Sequence, residues 1–221
     1  MSYFTKDYLD FFKELAANNN KDWFDENRKR YAESVKVPFE NFVTDLIKEV
    51  GKKDKNIQIE HKDAIFRINR DIRFSKDKTP YKTDRSAVIS PKGRKDKTNP
   101  GLYVVSGPEH MRVYGGIYVA DKEQLLSIRE HIAKDPKKLD KLCADAKFKK
   151  TFGEIRGEKN KVLPKEFKEI GEKAPILFNK QFYWFTEMPA KTILDKDVIG
   201  KVMDAYNVQT KMMNYFAEAL K

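Results

Sequence analysis

The stretch AIFRINRDIRFSKDKTPYK, residues 64–82, opens the part of the chain where the sequence changes from a helical to a β-type pattern. From residue 66 to residue 74 the even positions are mostly apolar, and the odd positions between them carry Arg67, Asn69, Asp71 and Arg73. Because successive side chains of a strand point to opposite faces, this alternation predicts a strand over residues 64–75 with one apolar and one charged face.

Arg70 interrupts the alternation because it falls on the predicted apolar face. An unpaired guanidinium there would cost several kcal/mol, so we expect a carboxylate partner, a β-bulge that turns the side chain outward, or the wall of a binding site. Local sequence rules tend to fail where function resides, and Arg70 therefore marks this segment as a candidate site.

The predicted strand leads into a polar turn, SKDKTPYK, residues 75–82. Arginine side chains grip phosphate or carboxylate in two places, lysines add point charges, and hydroxyl groups and turn amides complete the shell. We therefore predict an anion-binding surface, best suited to phosphate, whose ligand-binding residues are Arg67, Arg70, Arg73, Ser75, Lys78, Tyr81 and Lys82. The alternative is a solvated basic edge strand in which Arg67 and Arg73 pair with Asp71 and Asp77.

Further short β-type segments, separated by turn residues, follow the first predicted strand. The pattern predicts strands over residues 85–90, 101–106, 111–119 and, later in the chain, 181–187. Residues 107–110 are predicted to form a hairpin turn, and the short connections favour antiparallel pairing.

An amphipathic helical pattern precedes the β-type segments and covers residues 1–51. Thr5 is placed to be an N-cap, and a second helix is predicted to begin after Asn20. Pro38 is expected to kink or restart the helical run, because proline lacks the N–H that a helix interior requires.

Helical patterns return after the β-type segments. Asp121 and the dipeptide Asp135-Pro136 are placed to begin two helices, and Asp195 or Asp197 a final one. Residues 147–180 are interrupted by glycine and proline and predict mostly loop, with at most a short hairpin or helix.

Together these patterns predict an α+β fold in which an antiparallel or mixed β-sheet packs against N-terminal and C-terminal helices. A chain of 221 residues fits one sizeable domain, so we expect a single domain over residues 1–221. Its parts are a helical segment (1–51), a β-rich segment with the basic motif (57–119), and a segment of helices, loop, one strand and a C-terminal helix (121–221).

The composition is that of a basic globular protein, with 40% hydrophobic residues and a formal net charge of +11. Residues 61–100 hold twelve Lys or Arg against five Asp, a net charge of +7, so the excess is concentrated. One cysteine, Cys143, excludes an intrachain disulfide and favours the reducing cytoplasm. We expect no signal peptide and no membrane-spanning helix.

The common signatures of metal and nucleotide sites do not occur in the sequence. The spacing of His61, His110 and His131 places no two on one helix face, so we predict no metal site. Neither a P-loop nor a Rossmann glycine motif is present, and no cofactor is predicted. If the protein is an enzyme, Asp71 and Asp77 are the candidate catalytic residues, with Mg²⁺ as the ion they would hold.

The stretch RINRDIRFSKDKTPYK, residues 67–82, resembles the signature of the bacterial and fungal domain of unknown function 2461 family. NNNKDWFDENRKRY, residues 18–31, followed by Pro38, looks like the opening motif of that family, and GGIY, residues 115–118, is similar to its Gly-Gly-x-Tyr element. The resemblance covers most of the chain and implies that further ligand-binding residues lie beside the central motif: Trp23, Asn27 and Arg28. It implies no catalytic role, because the family has no established activity.

Three functions stay open on the sequence alone. The first is binding of a phosphorylated small molecule or a nucleic acid at residues 67–82. The second is a phosphoryl-transfer or hydrolytic enzyme that uses Asp71 or Asp77. The third is a structural or interaction protein in which the arginines of the motif form an internal salt-bridge network. The sequence does not indicate the ligand or the oligomeric state.

Overall fold

A computed structural model describes residues 2–96 and 99–221 of the protein. The structure is 55% helical, with a four-stranded antiparallel sheet and helices at both ends of the chain, which confirms the predicted α+β class. The α-helices are α1 Lys6–Ala17, α2 Lys21–Glu26, α3 Arg28–Arg30, α4 Val37–Lys53, α5 His61–Ala64, α6 Lys122–Lys134, α7 Pro136–Ala144, α8 Ala146–Phe152, α9 Lys168–Lys173 and α10 Val198–Glu218. Single turns of 3₁₀-helix lie at Gly93–Lys95, Lys165–Phe167, Pro175–Phe178 and Ala190–Leu194.

The sheet has the strand order β1-β2-β3-β4. Its strands are β1 Arg85–Ile89, β2 Leu102–Ser106, β3 His110–Ile117 and β4 Phe182–Pro189. The burial of β2 and β3 alternates residue by residue, as expected for strands with one buried face. The predicted strands over residues 85–90, 101–106, 111–119 and 181–187 are therefore confirmed to within a few residues.

The strand predicted over residues 64–75 does not form. Ala64 ends the short helix α5, which begins with a capping box between Glu60 and Asp63. The residues that follow pair with their neighbours only at two isolated antiparallel bridges, Ile65 to Ala87 and Asn69 to Tyr81. Residues 70–80 form a loop in which polar side chains bond to the local backbone, and these bonds replace a strand ladder.

The helical N-terminal part of the chain follows the sequence pattern closely. Asn20 caps α2 by accepting a hydrogen bond from the Trp23 N–H at 2.9 Å, whereas Thr5 occupies the N-cap position of α1 without a side-chain bond. A π-helical segment, Tyr31–Lys36, precedes α4. The helical run continues without a break from this segment into α4, so the irregularity predicted at Pro38 takes the form of the π-helical turns that precede it.

The described residues divide into two compact units, each assembled from separate stretches of chain. The first unit comprises residues 2–95, 103–113 and 187–203, and the second comprises residues 96, 99–102, 114–186 and 204–221. Aromatic side chains dominate the fully buried core of the first unit: Tyr8, Phe11, Phe12, Phe39 and Phe42. The core of the second unit includes Trp184, Phe182 and Phe216. The single domain stays a prediction.

Two adjacent glycines near the end of β3 permit close packing within the second unit. A Cβ atom on Gly115 would lie 1.9 Å from Oε1 of Gln209, which accepts a 2.7 Å hydrogen bond from the buried Trp184 indole. Gly116 has φ +102°, and a Cβ there would lie 2.1 Å from the Phe182 carbonyl oxygen. Gly116 is therefore required by its backbone conformation and by the close approach of β4, whereas Gly115 leaves room for the hydrogen-bonded side chains of Gln209 and Trp184.

Candidate functional site

A cavity of about 450 Å³ lies in the first unit and is the candidate functional site. We call it the cationic cavity. Its lining residues come from α4, α5, β1, the segment that follows α5 and the 3₁₀ turn at Gly93–Lys95: Glu40, His61, Lys62, Ile65, Phe66, Arg67, Arg85 and Arg94. Four of these side chains are cationic and one is a carboxylate, so the formal charge of the lining is +3 with histidine neutral.

Local backbone structure brings the cations of the cavity together. The bridge between Ile65 and Ala87 places Arg67 beside the start of β1, where Arg85 lies. Gly93 has φ +59°, and a Cβ there would lie 2.5 Å from the Asp63 carbonyl oxygen, so only glycine lets the two segments approach. Arg94, the next residue, donates hydrogen bonds to the carbonyl oxygens of Lys62 and Ile65.

Arg85 is the most unusual residue of the cavity because it is a buried cation without a carboxylate partner. It is 5% exposed, and no acidic oxygen in the described part of the chain lies within 4.0 Å of it. Its Nη1 donates to the Phe66 carbonyl oxygen at 2.9 Å, and its guanidinium lies 5.5 Å from the centre of the Phe39 ring. Its Nε is buried and has no hydrogen-bond acceptor. This leaves a desolvated donor at the cavity.

The other cations of the cavity are exposed, and none of them pairs with the carboxylate of the lining. Arg67 forms no ion pair or hydrogen bond with any described residue. Arg94 bonds only to carbonyl oxygens, and Lys62 pairs outward with Glu60 at 2.7 Å. Glu40, the one carboxylate of the lining, is 4.0 Å from Lys36. The cavity therefore presents a surplus of positive charge.

Lys82 and Asp84 lie close to the cavity residues but are not part of its lining. The Lys82 ammonium lies 5.3 Å from the centre of the Phe66 ring, and burial lowers the pKa of Lys82. Burial raises the pKa of Asp84, while the nearby charges of Lys82 and Arg85 oppose this shift. Arg67 and Lys82 are thus the two members of the predicted ligand-binding set found in or beside the cavity.

Arg70 has a carboxylate partner, which is one of the three outcomes that the sequence predicts for it. Its guanidinium forms an ion pair with Asp77 and donates to the carbonyl and hydroxyl oxygens of Thr79. Ser75 accepts a longer bond from the same guanidinium at 3.5 Å. Arg70 and Ser75 are therefore engaged inside the loop of residues 70–80, which we call the basic loop.

The remaining predicted residues of the basic loop also bond within it. Arg73 pairs with Asp71 at 2.8 Å on the exposed side of the loop. Lys78 donates to the Ile72 carbonyl oxygen at 2.9 Å. Neither Asp71 nor Asp77, the candidate catalytic residues, lines the cavity.

Asp77 is expected to hold the basic loop closed. The Thr79 backbone N–H, then Arg70 and the Thr79 hydroxyl, lower the pKa of Asp77 from 3.8 to about 2. Because the folded-state pKa is lowered, this stabilisation is present above pH 3.8 and is lost as the pH falls toward about 2. Replacing Asp77 with Asn should speed amide hydrogen exchange of residues 70–80 by up to about tenfold, with little change in Tm, because the residue is exposed.

The matched control for this loop is Asp71→Asn, which removes a carboxylate from the same loop but leaves the bonds between Arg70, Asp77 and Thr79 intact. Exchange that is equally fast in both variants would contradict the role of Asp77. Wild-type protein acidified from pH 4 toward 2 should show the same loss of protection, after correction for intrinsic exchange rates.

The N-terminal motif, residues 18–31, contacts the end of the central motif, residues 67–82 (here called the basic segment), through residues other than those predicted. The Asn19 side chain accepts from the Tyr81 N–H at 3.0 Å and donates to the Tyr81 carbonyl oxygen at 2.9 Å. The Phe24 ring stacks on the Tyr81 ring, with centroids 4.0 Å apart. These contacts fix the end of the basic segment against α2 and place the Tyr81 side chain in the core.

Trp23, Asn27 and Arg28 do not line the cavity. The Trp23 ring packs 5.5 Å from Phe11, and the Asn27 side chain donates to the Trp23 carbonyl oxygen at 2.9 Å. Arg28 forms an ion pair with Asp25 on the surface. All three make local contacts within the N-terminal part of the first unit, and their predicted role in ligand binding stays a prediction.

Sequence reasoning missed three cations of the cavity, Lys62, Arg85 and Arg94. Arg85 carried a usable signal, because positions 85, 87 and 89 share one face of β1 and the other two are apolar. An arginine in that position is as unexpected as Arg70 on its predicted apolar face. Lys62 and Arg94 carried no comparable signal, since each lies in a short polar segment and joins the site through tertiary contacts.

The described residues offer little to support a metal site or a membrane span. Within residues 2–96 and 99–221, no three His, Cys, Asp or Glu side chains group in a way that could hold a metal ion. In the same residues no helix has the length and apolar character needed to cross a bilayer.

Comparison with known proteins agrees with the sequence motifs. No curated protein matches the chain. A family model described as "Conserved hypothetical protein (DUF2461)" matches residues 7–215, which include the N-terminal motif, the basic segment and the Gly-Gly pair. The chain therefore belongs to the DUF2461 family of conserved hypothetical proteins.

Proposed function

We propose that the protein binds a small phosphorylated ligand in the cationic cavity. The observation that supports this most directly is Arg85, a guanidinium that is 5% exposed and lacks a carboxylate partner within the described residues. Burying an unpaired charge is costly, and an anion in the cavity would offset that cost through its attraction to the Arg85 guanidinium. A ligand anion in the cavity would therefore supply the counter-charge that Arg85 lacks.

Phosphate suits the cavity better than a single carboxylate. The lining has a formal charge of +3, and a phosphate monoester carries close to two negative charges at neutral pH. Three of the cations are arginines, whose planar donor forks match the oxygen pairs of phosphate. Charge and geometry therefore both favour a phosphoryl group.

The size of the cavity favours a phosphate ester over a bare phosphate ion. Its volume of about 450 Å³ falls within the range of small-molecule sites, and Ile65 and Phe66 supply apolar surface for an organic part. Asp71 and Asp77 are engaged in the basic loop, so no observation favours the hydrolytic alternative over binding. We also propose a cytoplasmic location, in keeping with the single cysteine.

Calorimetric titration tests the proposal directly. The probes are inorganic phosphate, pyrophosphate and a panel of phosphate monoesters, each ester paired with its unphosphorylated form. We expect binding only of the phosphorylated compounds. Arg67→Gln and Arg94→Gln should each weaken binding roughly tenfold, because each removes a charge-assisted hydrogen bond.

The control is Lys211→Gln, which removes one positive charge from an exposed position on α10 and should leave affinity unchanged. The proposal fails if no phosphorylated probe binds at about 50 mM salt. It also fails if Lys211→Gln weakens binding as much as Arg94→Gln, because the effect would then reflect overall charge alone.

A further inference from the structure

The basic loop carries an aromatic side chain that no part of the described structure covers. Phe74 is 96% exposed, more than any other large apolar side chain among residues 2–96 and 99–221. Among the described residues it has one cation–π contact, with the neighbouring Arg73, whose guanidinium carbon lies 5.8 Å from the ring centre. Exposure of this degree contributes nothing to the core, so the fold itself does not account for the residue.

Hydrogen bonds fix the conformation that exposes Phe74. At the neck of the loop, the Arg70 N–H donates to the Pro80 carbonyl oxygen at 2.8 Å, next to the bridge between Asn69 and Tyr81. Nearer the tip, the Ile72 carbonyl oxygen accepts from the Ser75 N–H at 3.3 Å and from the Lys78 ammonium at 2.9 Å. The ring is therefore held outward by an organised loop, which lowers the entropy cost of binding a partner.

The charges of the loop identify the chemistry of that partner. Four cations, Arg70, Arg73, Lys76 and Lys78, face two carboxylates, and both carboxylates are paired with arginines. Lys76 forms no ion pair or hydrogen bond in the described part of the chain, and Lys78 bonds only to a carbonyl oxygen. A partner would thus meet one aromatic ring beside unpaired positive charge and no free carboxylate.

We propose that the basic loop binds single-stranded nucleic acid, with Phe74 stacked on a base and Lys76 and Lys78 contacting phosphates. A single ring is sufficient for stacking on an unpaired base. Lysines beside the bound nucleic acid supply the phosphate contacts that dominate affinity. An anionic membrane is disfavoured, because Phe74 is the one fully exposed apolar side chain of the loop and stable anchoring needs more apolar surface. The surface is distinct from the cationic cavity, whose lining includes no residue of the loop.

Fluorescence anisotropy with a labelled oligothymidylate of about 16 nucleotides tests this proposal at about 50 mM salt. Phe74→Ala should weaken binding roughly tenfold, and Phe74→Trp should restore it, because tryptophan also stacks. Lys76→Gln should weaken binding and reduce the slope of log affinity against log salt by about one. Folding of each variant is checked by its Tm, which should match the wild type because Phe74 and Lys76 are exposed.

Two matched controls separate the loop from general surface effects. Tyr118→Ala removes another aromatic side chain that is 63% exposed, and Lys211→Gln removes another exposed positive charge. Both variants should bind the oligothymidylate with the affinity of the wild type. Phe74→Ala should also retain the affinity of the cavity for phosphate esters, so the two proposals can fail separately.

Three results would overturn the proposal. The first is an absence of strand binding by the wild-type protein under these conditions. The second is an affinity of Phe74→Ala equal to that of the wild type, or a loss in Tyr118→Ala as large as in Phe74→Ala. The third is Phe74-dependent binding to vesicles of phosphatidylserine and phosphatidylcholine in place of the strand.

Discussion

Replacing Gly116 with alanine should destabilise the protein by about 3 kcal/mol or more. Gly116 has φ +102°, a conformation that residues with a Cβ rarely adopt. The added Cβ would also lie 2.1 Å from the Phe182 carbonyl oxygen and 2.9 Å from the α-carbon of Tyr183, both backbone atoms of the neighbouring strand β4. Relief would require separating two paired strands, so the cost cannot be absorbed by a side-chain movement.

Gly153→Ala is the matched control for this prediction. Gly153 also has a positive φ, +78°, but a Cβ there would meet nothing within 4 Å. Its ψ of −89° is also unfavourable for a residue with a Cβ, so its replacement should cost about 2 kcal/mol, the penalty of the backbone conformation alone. Urea unfolding measures both changes, and equal losses in the two variants would show that contact with Phe182 is unimportant.

Replacing Arg85 with methionine should abolish most of the ligand affinity of the cavity while preserving stability. Loss of a buried charge-assisted donor is expected to weaken binding of phosphate esters by roughly 30-fold or more. The ligand-free variant should keep its unfolding free energy to within about 1 kcal/mol, because removal of a buried charge without an ion pair offsets the loss of its hydrogen bond to the Phe66 carbonyl oxygen. Calorimetry measures the ligand affinity, and urea unfolding of the same protein preparation measures the unfolding free energy.

Arg129→Met provides the comparison, because Arg129 is also 5% exposed but belongs to the second unit. Its guanidinium donates to the carbonyl oxygens of Leu177 and Asn179, at 2.9 and 3.5 Å. Its replacement should lower stability, since two buried acceptors lose their donor, and should leave ligand affinity unchanged. If Arg85→Met instead lost stability and kept its affinity, Arg85 would be a structural residue.

Most of the fold could be predicted because its elements have strong local signals. The burial of β2 and β3 alternates residue by residue, β4 begins with a run of aromatic residues, and the hairpin between β2 and β3 has its turn at Gly107. Asp121 and Gln124 form the capping box that opens α6. The failure over residues 64–75 has a local cause: the capping box at Glu60 and the bonds made by Arg70 outweigh the alternation.

The candidate site was harder to predict because it is assembled from distant residues. Arg70 was correctly identified as a residue in need of a partner, but its partner, Asp77, lies in the same loop and closes that loop. The cavity instead combines Lys62, Arg67, Arg85 and Arg94, which approach one another through a bridge at Ile65 and a close approach at Gly93. Contacts of this kind between distant residues do not produce a periodic pattern in the sequence.

The division of both units among distant stretches of chain has a consequence for folding during synthesis. The first unit includes residues 187–203, and the Ser2 hydroxyl donates to the Leu194 carbonyl oxygen at 2.9 Å. Most of the chain must therefore leave the ribosome before the first unit can complete its packing. The N-terminal helices of that unit leave the ribosome first. Nascent α1 and α4 would expose their aromatic faces during that interval, which is when such a protein is most in need of a chaperone.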